Sequence, residues 1–307
     1  MMDHLKKSPA ARPIRAADRA VGLTLVTEWK DGGIAQVQDY LVGEQPLAIH
    51  VDQQPLSVTM RTPGHDLELA AGFLFSEGIV SRREQITALT QSAEPGQEAN
   101  LVHVELHPEA AIDPERLRRN FISTSSCGLC GRAAIDDLRV RGIRRPNPRL
   151  RIDPEVLCRL PDMLRSDQKL FSRTGGPHAA GLFDHAGRLL TLREDVGRHN
   201  AVDKLIGWAL LNGGLPLAEH ILLVSGRGSF EIIQKALVAG LPAVACISAP
   251  SSLAVQLAQE FRLTLVGFLR GRRFIVYAGE ERLSLTSPLS CSGPDTPSNV
   301  RRASHRT

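Results

Sequence analysis

The stretch that decides the fold is HILLVSGRGSFEIIQKALVAGLPAVACISAPSSLAVQLAQEFRLTLVGFLRGRRFIVYA, residues 220–278. Short apolar runs alternate in it with runs of helical periodicity. They predict strands at 220–224, 243–247, 263–268 and 274–278 and helices at 229–239 and 251–261. Such alternation is typical of crossover units in a largely parallel sheet covered by helices on both faces. The first two strands are nearly all apolar, as strands buried on both faces are.

The N-terminal part of the chain has a different pattern. Residues 21–61 contain four short, partly alternating segments separated by turn residues, and these predict strands. A helix is expected at 66–78, with Asp66 as its N-cap and Gly78 as its stop, and a further strand at 100–106. This part therefore looks like a small α+β unit.

The strand–helix alternation begins upstream of the quoted stretch, with strands expected at 179–184 and 188–192 and a helix at 199–212. The fold class is therefore α/β, with a small N-terminal α+β domain followed by a larger α/β domain. The predicted divisions are a basic tail at 1–20, the small domain at 21–120, the large domain at 121–283 and a second tail at 284–307. Both tails are rich in Pro and Ser, and we expect them to be disordered.

Composition excludes several classes of protein. The chain has 307 residues, of which 42% are apolar and 23% charged, as is usual for a globular protein. The net charge of +4 belongs to the two tails, because residues 21–283 alone carry −1. We therefore expect no nucleic-acid partner. No apolar run approaches the ~18 residues that a membrane-spanning helix needs, so we expect no membrane partner either.

The sharpest local feature is a pair of cysteines, Cys127 and Cys130, in the sequence STSSCGLCGR. Between residues 116 and 151 there are ten Arg against two acidic residues. Nearby cations lower the pKa of a thiol and favour the reactive thiolate. The chain has five cysteines at irregular spacing, which is not a disulfide framework and suggests a reducing compartment.

Three interpretations of the pair remain open on spacing alone. A zinc site would need further ligands from afar, such as Cys158, His178 or His199, because one C-x-x-C supplies only half of a site. A thioredoxin-like redox pair should follow a strand and open a helix, which this pair does not. The third interpretation is a nucleophile that handles sulfur, with the second cysteine resolving or relaying a persulfide.

Four further strings are rich in Gly, charge or both. They are TGGPHAAG at 174–181, REDVGRHNAVDK at 193–204, SGRGS at 225–229 and GFLRGRRF at 267–274. The second string is open to two interpretations, a salt-bridged surface helix with Asp195 near its start, or a functional cluster with His178 and His199. SGRGS follows a buried strand and precedes a helix, where open sheets bind ligands and free N–H groups suit a phosphate. SAPSS at 248–252 repeats that arrangement, and both turns should share one sheet edge.

The last of these strings carries three Arg around a glycine turn. It is either a solvated hairpin or a clamp for a diphosphate, since Arg binds phosphate through bidentate hydrogen bonds.

Taken together, these strings make the chain resemble the FdhD family, the sulfur carriers required for formate dehydrogenase. The resemblance covers about residues 36–283. Its motifs are RTPGHDLELAAGFLFSEGI, CGLC, TGGPHAAGLFD, REDVGRHNAVDKLIG, SGRGSFEIIQKALVAGLP, SAPSSLAVQLA and LTLVGFLRGRRFIVY. It implies a large domain similar to the cytidine deaminase fold, a homodimer and a cytoplasmic location. It also implies sulfur transfer from a cysteine desulfurase to the molybdenum cofactor, Mo-bis(molybdopterin guanine dinucleotide), before that cofactor enters formate dehydrogenase.

The resemblance also assigns residues. The family's C-x-x-C matches Cys127 and Cys130, with Cys127 as the persulfide carrier, and no metal is expected. Its cofactor-binding turn matches Phe268, Leu269, Arg270, Gly271, Arg272 and Arg273. Deaminase activity is not expected, because His178 is not followed by the Glu of an H-x-E motif. The main alternative function is a zinc-stapled chaperone that binds the cofactor or the client without catalysis.

Overall fold

The computed structural model describes residues 20–92, 100–110, 135, 138–139 and 142–284. The predicted domain boundary near residue 120 lies outside these ranges, as do nearly all of both tails, so those predictions remain untested. Among the described helices, none combines the length and apolar character needed to cross a bilayer.

The N-terminal half of the described chain consists of a hairpin, a four-stranded sheet and one helix. The hairpin is β1 (Val21–Lys30) with β2 (Gly33–Val42). The sheet is built from β3 (Gln45–Val51), β4 (Gln54–Arg61), β5 (Ile86–Ser92) and β6 (Leu101–Leu106), in the spatial order β4-β3-β6-β5. Helix α1 (Asp66–Ser76) connects β4 to β5 by way of a 3₁₀ turn at Arg83–Gln85. The strands and the helix expected in this part of the chain are confirmed, and β5 was not predicted.

The predicted role of Asp66 is wrong. The cap position of α1 is His65, which has a left-handed backbone, and Asp66 is the first helical residue. The Asp66 carboxylate instead binds the buried Arg61 guanidinium through two hydrogen bonds of 2.8 and 2.9 Å. A charge pair across the β4–α1 turn thus replaces the expected cap, because the buried Arg needs a carboxylate partner.

The C-terminal half contains six strands and five helices. The strands are β7 (His178–Asp184), β8 (Leu189–Asp195), β9 (His220–Val224), β10 (Ala243–Cys246), β11 (Thr264–Arg270) and β12 (Arg273–Ala278). The helices are α2 (Pro154–Asp167), α3 (Lys169–Thr174), α4 (Arg198–Leu211), α5 (Phe230–Val238) and α6 (Ser252–Phe261). Within 220–278, every predicted strand and helix is confirmed.

The six strands form one sheet in the order β12-β11-β10-β9-β7-β8. Only the neighbours β9, β10 and β11 run parallel, and β7, β8 and β12 pair antiparallel. The expectation of a largely parallel sheet is therefore wrong for the flanks. Helix α4 also crosses over, from β8 to β9, and these two strands point the same way with β7 between them. Tight turns join β7 to β8 and β11 to β12, and such short connections force antiparallel pairing.

Two apolar cores cover the two faces of this sheet. On one face, Leu222, Val224 and Val244 pack with residues of α4, α5 and α6, and the same core continues through α1 into the four-stranded sheet. On the other face, Ile221, Leu223 and Ala245 pack against α2. The alternation of side chains along β9 and β10 thus divides their apolar residues between two cores.

The two halves meet where helices α1 and α4 cross through glycines. A Cβ added to Gly72 would lie 1.8 Å from the Asp203 carbonyl oxygen, and one added to Gly207 would lie 1.8 Å from the Glu68 carbonyl oxygen. The backbones therefore touch directly, which any side chain would prevent.

Replacing either crossing glycine by alanine should destabilise the protein severely. For Gly72→Ala or Gly207→Ala we expect a loss of about 3 kcal/mol or more in the free energy of unfolding, because the methyl group meets backbone rather than a movable side chain. Gly214→Ala is the matched control, since its nearest contact is an ordinary 3.4 Å. Urea unfolding of the three variants measures the difference, and equal midpoints would contradict the proposed contact.

Candidate functional site

One edge of the six-stranded sheet collects most of the strings singled out in the sequence. Because β9, β10 and β11 are parallel, their carboxyl ends share an edge, and antiparallel pairing brings the start of β7 and the end of β8 to it. Along this edge lie, in order, the 270–273 turn, the 247–251 turn, the 225–229 turn, His178 and the 195–199 segment. The expectation that the 225–229 and 248–252 turns share an edge is confirmed.

Backbone hydrogen bonds fix the neighbouring turns to one another. The Gly228 N–H donates to the Ala249 carbonyl at 3.2 Å, and the Ser251 N–H donates to the Gly228 carbonyl at 2.9 Å. A Cβ at Gly228 would lie 2.7 Å from the Cys246 sulfur, so the close approach requires glycine. The Phe268 N–H in turn donates to the Ser248 carbonyl at 3.2 Å. The three turns thus form one connected rim.

Cations and a neutral histidine surround the middle of the rim. Gly226 lies between His178 and Arg198, since a Cβ there would be 3.3 Å from the His178 Nδ1 and 3.6 Å from the Arg198 Cδ. Burial lowers the pKa of His178, and the charges of Arg198, His199 and Arg227 lower it further. The Arg198 Nε is buried and has no hydrogen-bond partner among the described residues. The rim therefore presents donors and positive charge, which suit an anionic ligand.

A second histidine, His199 of α4, places its side chain against the start of α5. The His199 Nε2 is 3.0 Å from the Ser229 hydroxyl and 3.3 Å from a Glu231 carboxylate oxygen. The hydrogen bond with His199 lowers the pKa of Glu231 to about 2, against the effect of its burial. Both partners meet the same ring nitrogen, so the cluster lacks the geometry of a relay of a nucleophile, a base and an orienting acid.

A cleft of about 490 Å³ opens beside the rim, between α2, α3 and the ends of β9 and β10. Its lining includes Gln168, Phe171, His178 and Ser225. Gln168 is only 4% exposed, and its Nε2 has no partner among the described residues. The Ser225 Oγ accepts a hydrogen bond from the Ala179 N–H at 2.9 Å, which leaves its own O–H free to donate. The cleft is the size of a small-molecule site and offers unused donors.

Sequence reasoning missed this cleft. Gln168 lies at the junction of two helices, with no motif around it, and only its burial without a partner marks it. A buried amide donor that lacks a partner is costly, and such groups are concentrated at functional positions.

The predicted cofactor-binding turn lies at the end of the rim. Arg270, Gly271, Arg272 and Arg273 are exposed, and the Arg272 guanidinium contacts the Glu155 carboxylate at 2.5 Å. Leu269 is fully buried in the core against α2, so only its backbone is available to a ligand. Phe268 has a φ of +52°, which is rare for an aromatic residue, at a bulge between β11 and β12. Bulges of this kind are frequent beside functional sites, where they redirect side chains.

The REDVGRHNAVDK string is mainly a buried connection between the two halves. The Lys204 ammonium lies 2.7 Å from an Asp195 carboxylate oxygen, with both side chains 1% exposed or less. The same carboxylate accepts from the Thr62 N–H, and the Lys204 ammonium donates to the Thr62 carbonyl at 2.8 Å. The cap residue of α4 is Gly197. The interpretation as a salt-bridged surface helix is therefore wrong, because these charges are interior.

Most of the other charged residues of the string also make contacts inside the protein. Arg193 binds Glu68 on α1 through two hydrogen bonds, the longer of them 2.8 Å. The Glu194 carboxylate accepts from the first N–H groups of α3, at Leu170 and Phe171. Asp203 pairs with Lys235 at 2.8 Å and accepts from the Ser76 hydroxyl. Arg198 and His199 are the members of the string that face the rim.

Cys127 and Cys130 lie outside the described residues, and so does most of the Arg-rich segment around them. Of the described cysteines, Cys246 is buried, which raises its pKa to about 12 and leaves it unreactive at neutral pH. Burial also raises the pKa of Cys158 on α2. Within the described ranges, no group of three or more His, Cys, Asp or Glu side chains is arranged to hold a metal ion.

Comparison with known proteins identifies the class. Residues 42–284 match the model of the FdhD/NarQ family. The sulfur carrier protein FdhD of Streptomyces avermitilis is 51% identical over 262 residues, which cover 83% of this chain and 93% of that protein. The protein of the same name from Mycobacterium tuberculosis is 45% identical over 252 residues, or 80% and 91% of the two chains. The chain therefore belongs to the FdhD/NarQ family, and the resemblance seen in its motifs is confirmed.

A solved structure supports the fold. The crystal structure of a putative formate dehydrogenase accessory protein from Desulfotalea psychrophila matches with a TM-score of 0.68 at 23% identity. The match covers 86% of this chain and 99% of that one. The mixed α/β architecture is thereby shared, while the predicted likeness to the cytidine deaminase fold remains a prediction.

The buried Asp195–Lys204 pair should be essential for stability. Lys204→Met leaves a buried carboxylate without its cation, and we expect a loss of about 3–5 kcal/mol in the free energy of unfolding. The double variant Asp195→Asn/Lys204→Met removes the unpaired charge as well and should recover more than half of that loss. Chemical unfolding measures both. A single variant as stable as the parent would refute the role of the pair.

Proposed function

We propose that this protein is a sulfur carrier that acts in the cytoplasm in the maturation of formate dehydrogenase. The observation that carries the proposal is membership of the FdhD/NarQ family, whose close relatives bear the name sulfur carrier protein, together with the CGLC sequence at 127–130. The proposed donor is a cysteine desulfurase, and the proposed client is formate dehydrogenase.

In the first proposed step, the Cys127 thiolate attacks the terminal sulfur of the persulfide on the desulfurase. The S–S bond of the donor breaks, the desulfurase cysteine leaves as a thiolate, and the sulfur remains on Cys127 as a persulfide. No electrons are gained or lost overall. The Arg-rich segment around Cys127 favours this step, because nearby positive charge stabilises a thiolate.

In the second proposed step, the sulfur leaves for the molybdenum of the cargo. The Cys130 thiolate attacks the Cys127 sulfur, the S–S bond of the persulfide breaks, and sulfide departs to the metal. A Cys127–Cys130 disulfide remains, and a cellular dithiol must reduce it before the next cycle. The sulfur is thus reduced by two electrons that come from the two cysteines.

The cargo, Mo-bis(molybdopterin guanine dinucleotide), is the substrate of this second step. Its phosphates would bind the turn of Arg270, Gly271, Arg272 and Arg273, where Arg270 and Arg273 have no ion pair among the described residues. Phe268 and the Leu269 backbone would shape the base of that turn. The donors of the rim and of the adjoining cleft supply further hydrogen bonds to an anionic, acceptor-rich molecule.

Loading of sulfur onto the chain tests the first step. After incubation with a cysteine desulfurase and cysteine, the protein should gain the mass of one sulfur atom on the peptide that contains 127–130. Cys127→Ser should abolish the gain, and Cys158→Ser, the control, should retain it. Mass spectrometry under non-reducing conditions reads the result. Sulfur on Cys127→Ser equal to that on the parent would refute the assignment, and stoichiometric zinc lost in Cys130→Ala would favour the chaperone alternative.

Binding of a guanine nucleotide tests the clamp separately. With GDP as the probe, Arg270→Ala/Arg273→Ala should weaken binding about a hundredfold, since each of the two lost charge-assisted contacts is worth ~1.5 kcal/mol. Arg188→Ala is the matched control, because Arg188 is exposed in the β7–β8 turn at the opposite edge of the sheet. Titration calorimetry measures the affinities. Equal weakening by both variants would show that the turn is not a clamp.

A further inference from the structure

The segment 142–152, here named the basic loop, contains no helix or strand and carries four arginines and no acidic residue. All four arginines are exposed, and they are Arg144, Arg145, Arg149 and Arg151. Residues 21–283 have a net charge of −1, to which these four contribute +4, so the other residues of that range carry −5. Positive charge is therefore concentrated on one short stretch of an otherwise acidic body.

A buried arginine fixes the backbone of the basic loop. The Arg282 residue is 1% exposed, and its guanidinium donates to the Asn147 carbonyl at 3.0 Å and to the Pro146 carbonyl at 3.4 Å. The same guanidinium donates to the carbonyl of Arg262, just after α6, at 2.6 Å. Burial of a guanidinium is costly unless its donors are used, so these bonds hold the loop in one conformation against the body.

Both ends of the basic loop are anchored as well. The Ile143 N–H donates to the carbonyl of Leu138 at 3.2 Å, and Leu138 is fully buried in the core. At the other end Leu150 and Ile152 are buried, and the Ile152 N–H donates to the Arg282 carbonyl at 2.8 Å. Two prolines in the loop restrict its backbone further. The arginines thus extend from a rigid support, which lowers the entropy lost when a partner binds.

The protein itself neutralises little of this charge. Arg144 and Arg149 make no side-chain hydrogen bond or ion pair within the described ranges. The Arg151 guanidinium donates to backbone carbonyls of the loop. Glu260 of α6 is close enough to feel the charge of the loop, but its carboxylate already accepts a hydrogen bond of 2.6 Å from Arg139. A rigid array of available guanidinium groups suits carboxylates, which each group can bind through two parallel hydrogen bonds.

We propose that the basic loop is the docking surface for the sulfur donor, which binds it through an acidic surface of its own. This inference rests on the proposed function, because it takes the donor to be a cysteine desulfurase. Leu138, which the loop contacts, follows Cys130 by eight residues, and eight extended residues span at most ~29 Å. An interface of ~800 Å² per partner is itself about 30 Å across. A protein docked on the loop can therefore also reach the cysteine pair.

An acidic protein surface fits the basic loop better than a nucleic acid does. The charge of −5 on the rest of the body would repel a polyanion that extends beyond the loop. The loop has no aromatic side chain on which a base could stack. Arginine is enriched at protein interfaces, and complementary charge across an interface raises the rate of association.

Charge reversal in the basic loop tests this inference. The loop variant is Arg144→Glu/Arg149→Glu, and the matched control, Arg82→Glu/Arg188→Glu, makes the same change in net charge at exposed positions elsewhere. With a limiting amount of cysteine desulfurase and excess cysteine, the rate at which Cys127 gains sulfur should fall about tenfold in the loop variant and stay unchanged in the control. Time-resolved mass spectrometry measures the rates, and circular dichroism checks that each variant is folded. At about 0.5 M NaCl the parent should slow to the rate of the loop variant, because salt screens exposed charges.

Binding measured without transfer separates docking from sulfur chemistry. In a Cys127→Ser background, the loop substitutions should weaken the affinity for the desulfurase about tenfold, and the control substitutions should leave it unchanged. Biolayer interferometry measures these affinities. A parent that binds the desulfurase through the loop but gains no sulfur would refute the proposed function and support the docking surface.

Three results would overturn the inference. They are equal loading rates in the parent and the loop variant, equal slowing in the loop variant and the control, and an unchanged affinity of the loop variant for the desulfurase. A loss of affinity for formate dehydrogenase alone, or for a short DNA duplex used as a probe, would overturn it as well and assign the loop to that partner.

Discussion

The structure depends on the buried ion pair between Asp195 and Lys204. Asp195 ends β8, Lys204 lies nearly two turns into α4, and both bind the backbone of Thr62, just after β4. Two charges are removed from water here, and they are tolerable only because each has several partners. The pair thereby joins the four-stranded sheet, the six-stranded sheet and α4 at one point. The glycine crossing of α1 and α4 lies on the same helix and holds the two halves at backbone contact.

This connection also positions the rim. Arg198 and His199 begin α4, so the interactions that fix the helix start fix these two side chains against the 225–229 turn. Glu194 caps α3, which carries Phe171 on the wall of the cleft. The buried charged residues thus position the rim and the wall of the cleft without lining either of them. The buried ion pair and the rim cation Arg198 are thus close neighbours in the same short string.

The fold of the C-terminal half could be predicted because its periodicities are unambiguous. Strands such as HILLV are apolar throughout, and the helices between them are amphipathic, so the elements over 220–278 follow from local pattern. The antiparallel flanks were mispredicted because pairing direction depends on connection length and not on residue pattern. The three residues between the predicted strands at 179–184 and 188–192 are too few for a crossover. The role of Asp66 was mispredicted for a related reason. Its partner Arg61 precedes the helix, and a short polar residue before an apolar run resembles a cap.

The candidate site, like the fold, could be predicted from the sequence only in part. The Arg-Gly turn and the SGRGS turn carry their chemistry in adjacent residues, so sequence reasoning found them and placed two of the turns on one edge. The cleft was missed because its residues come from α2, α3, β7 and the ends of β9 and β10. Gln168, in particular, lies in no recognisable motif. Charged residues within REDVGRHNAVDK were ambiguous because burial, not identity, decides whether a charge is structural or functional.

The hairpin and the cleft are physically connected. Val42, at the base of β2, lies against Gly176, where a Cβ would be 2.6 Å from the Val42 Cγ1, and Gly176 lines the cleft. The Arg173 guanidinium of α3 lies 5.6 Å from the centre of the Tyr40 ring. The base of the hairpin therefore packs directly against the segment that forms one wall of the cleft. Because an ordered wall lowers the entropy lost when a ligand binds, these contacts help to keep the cleft in a shape that can bind one.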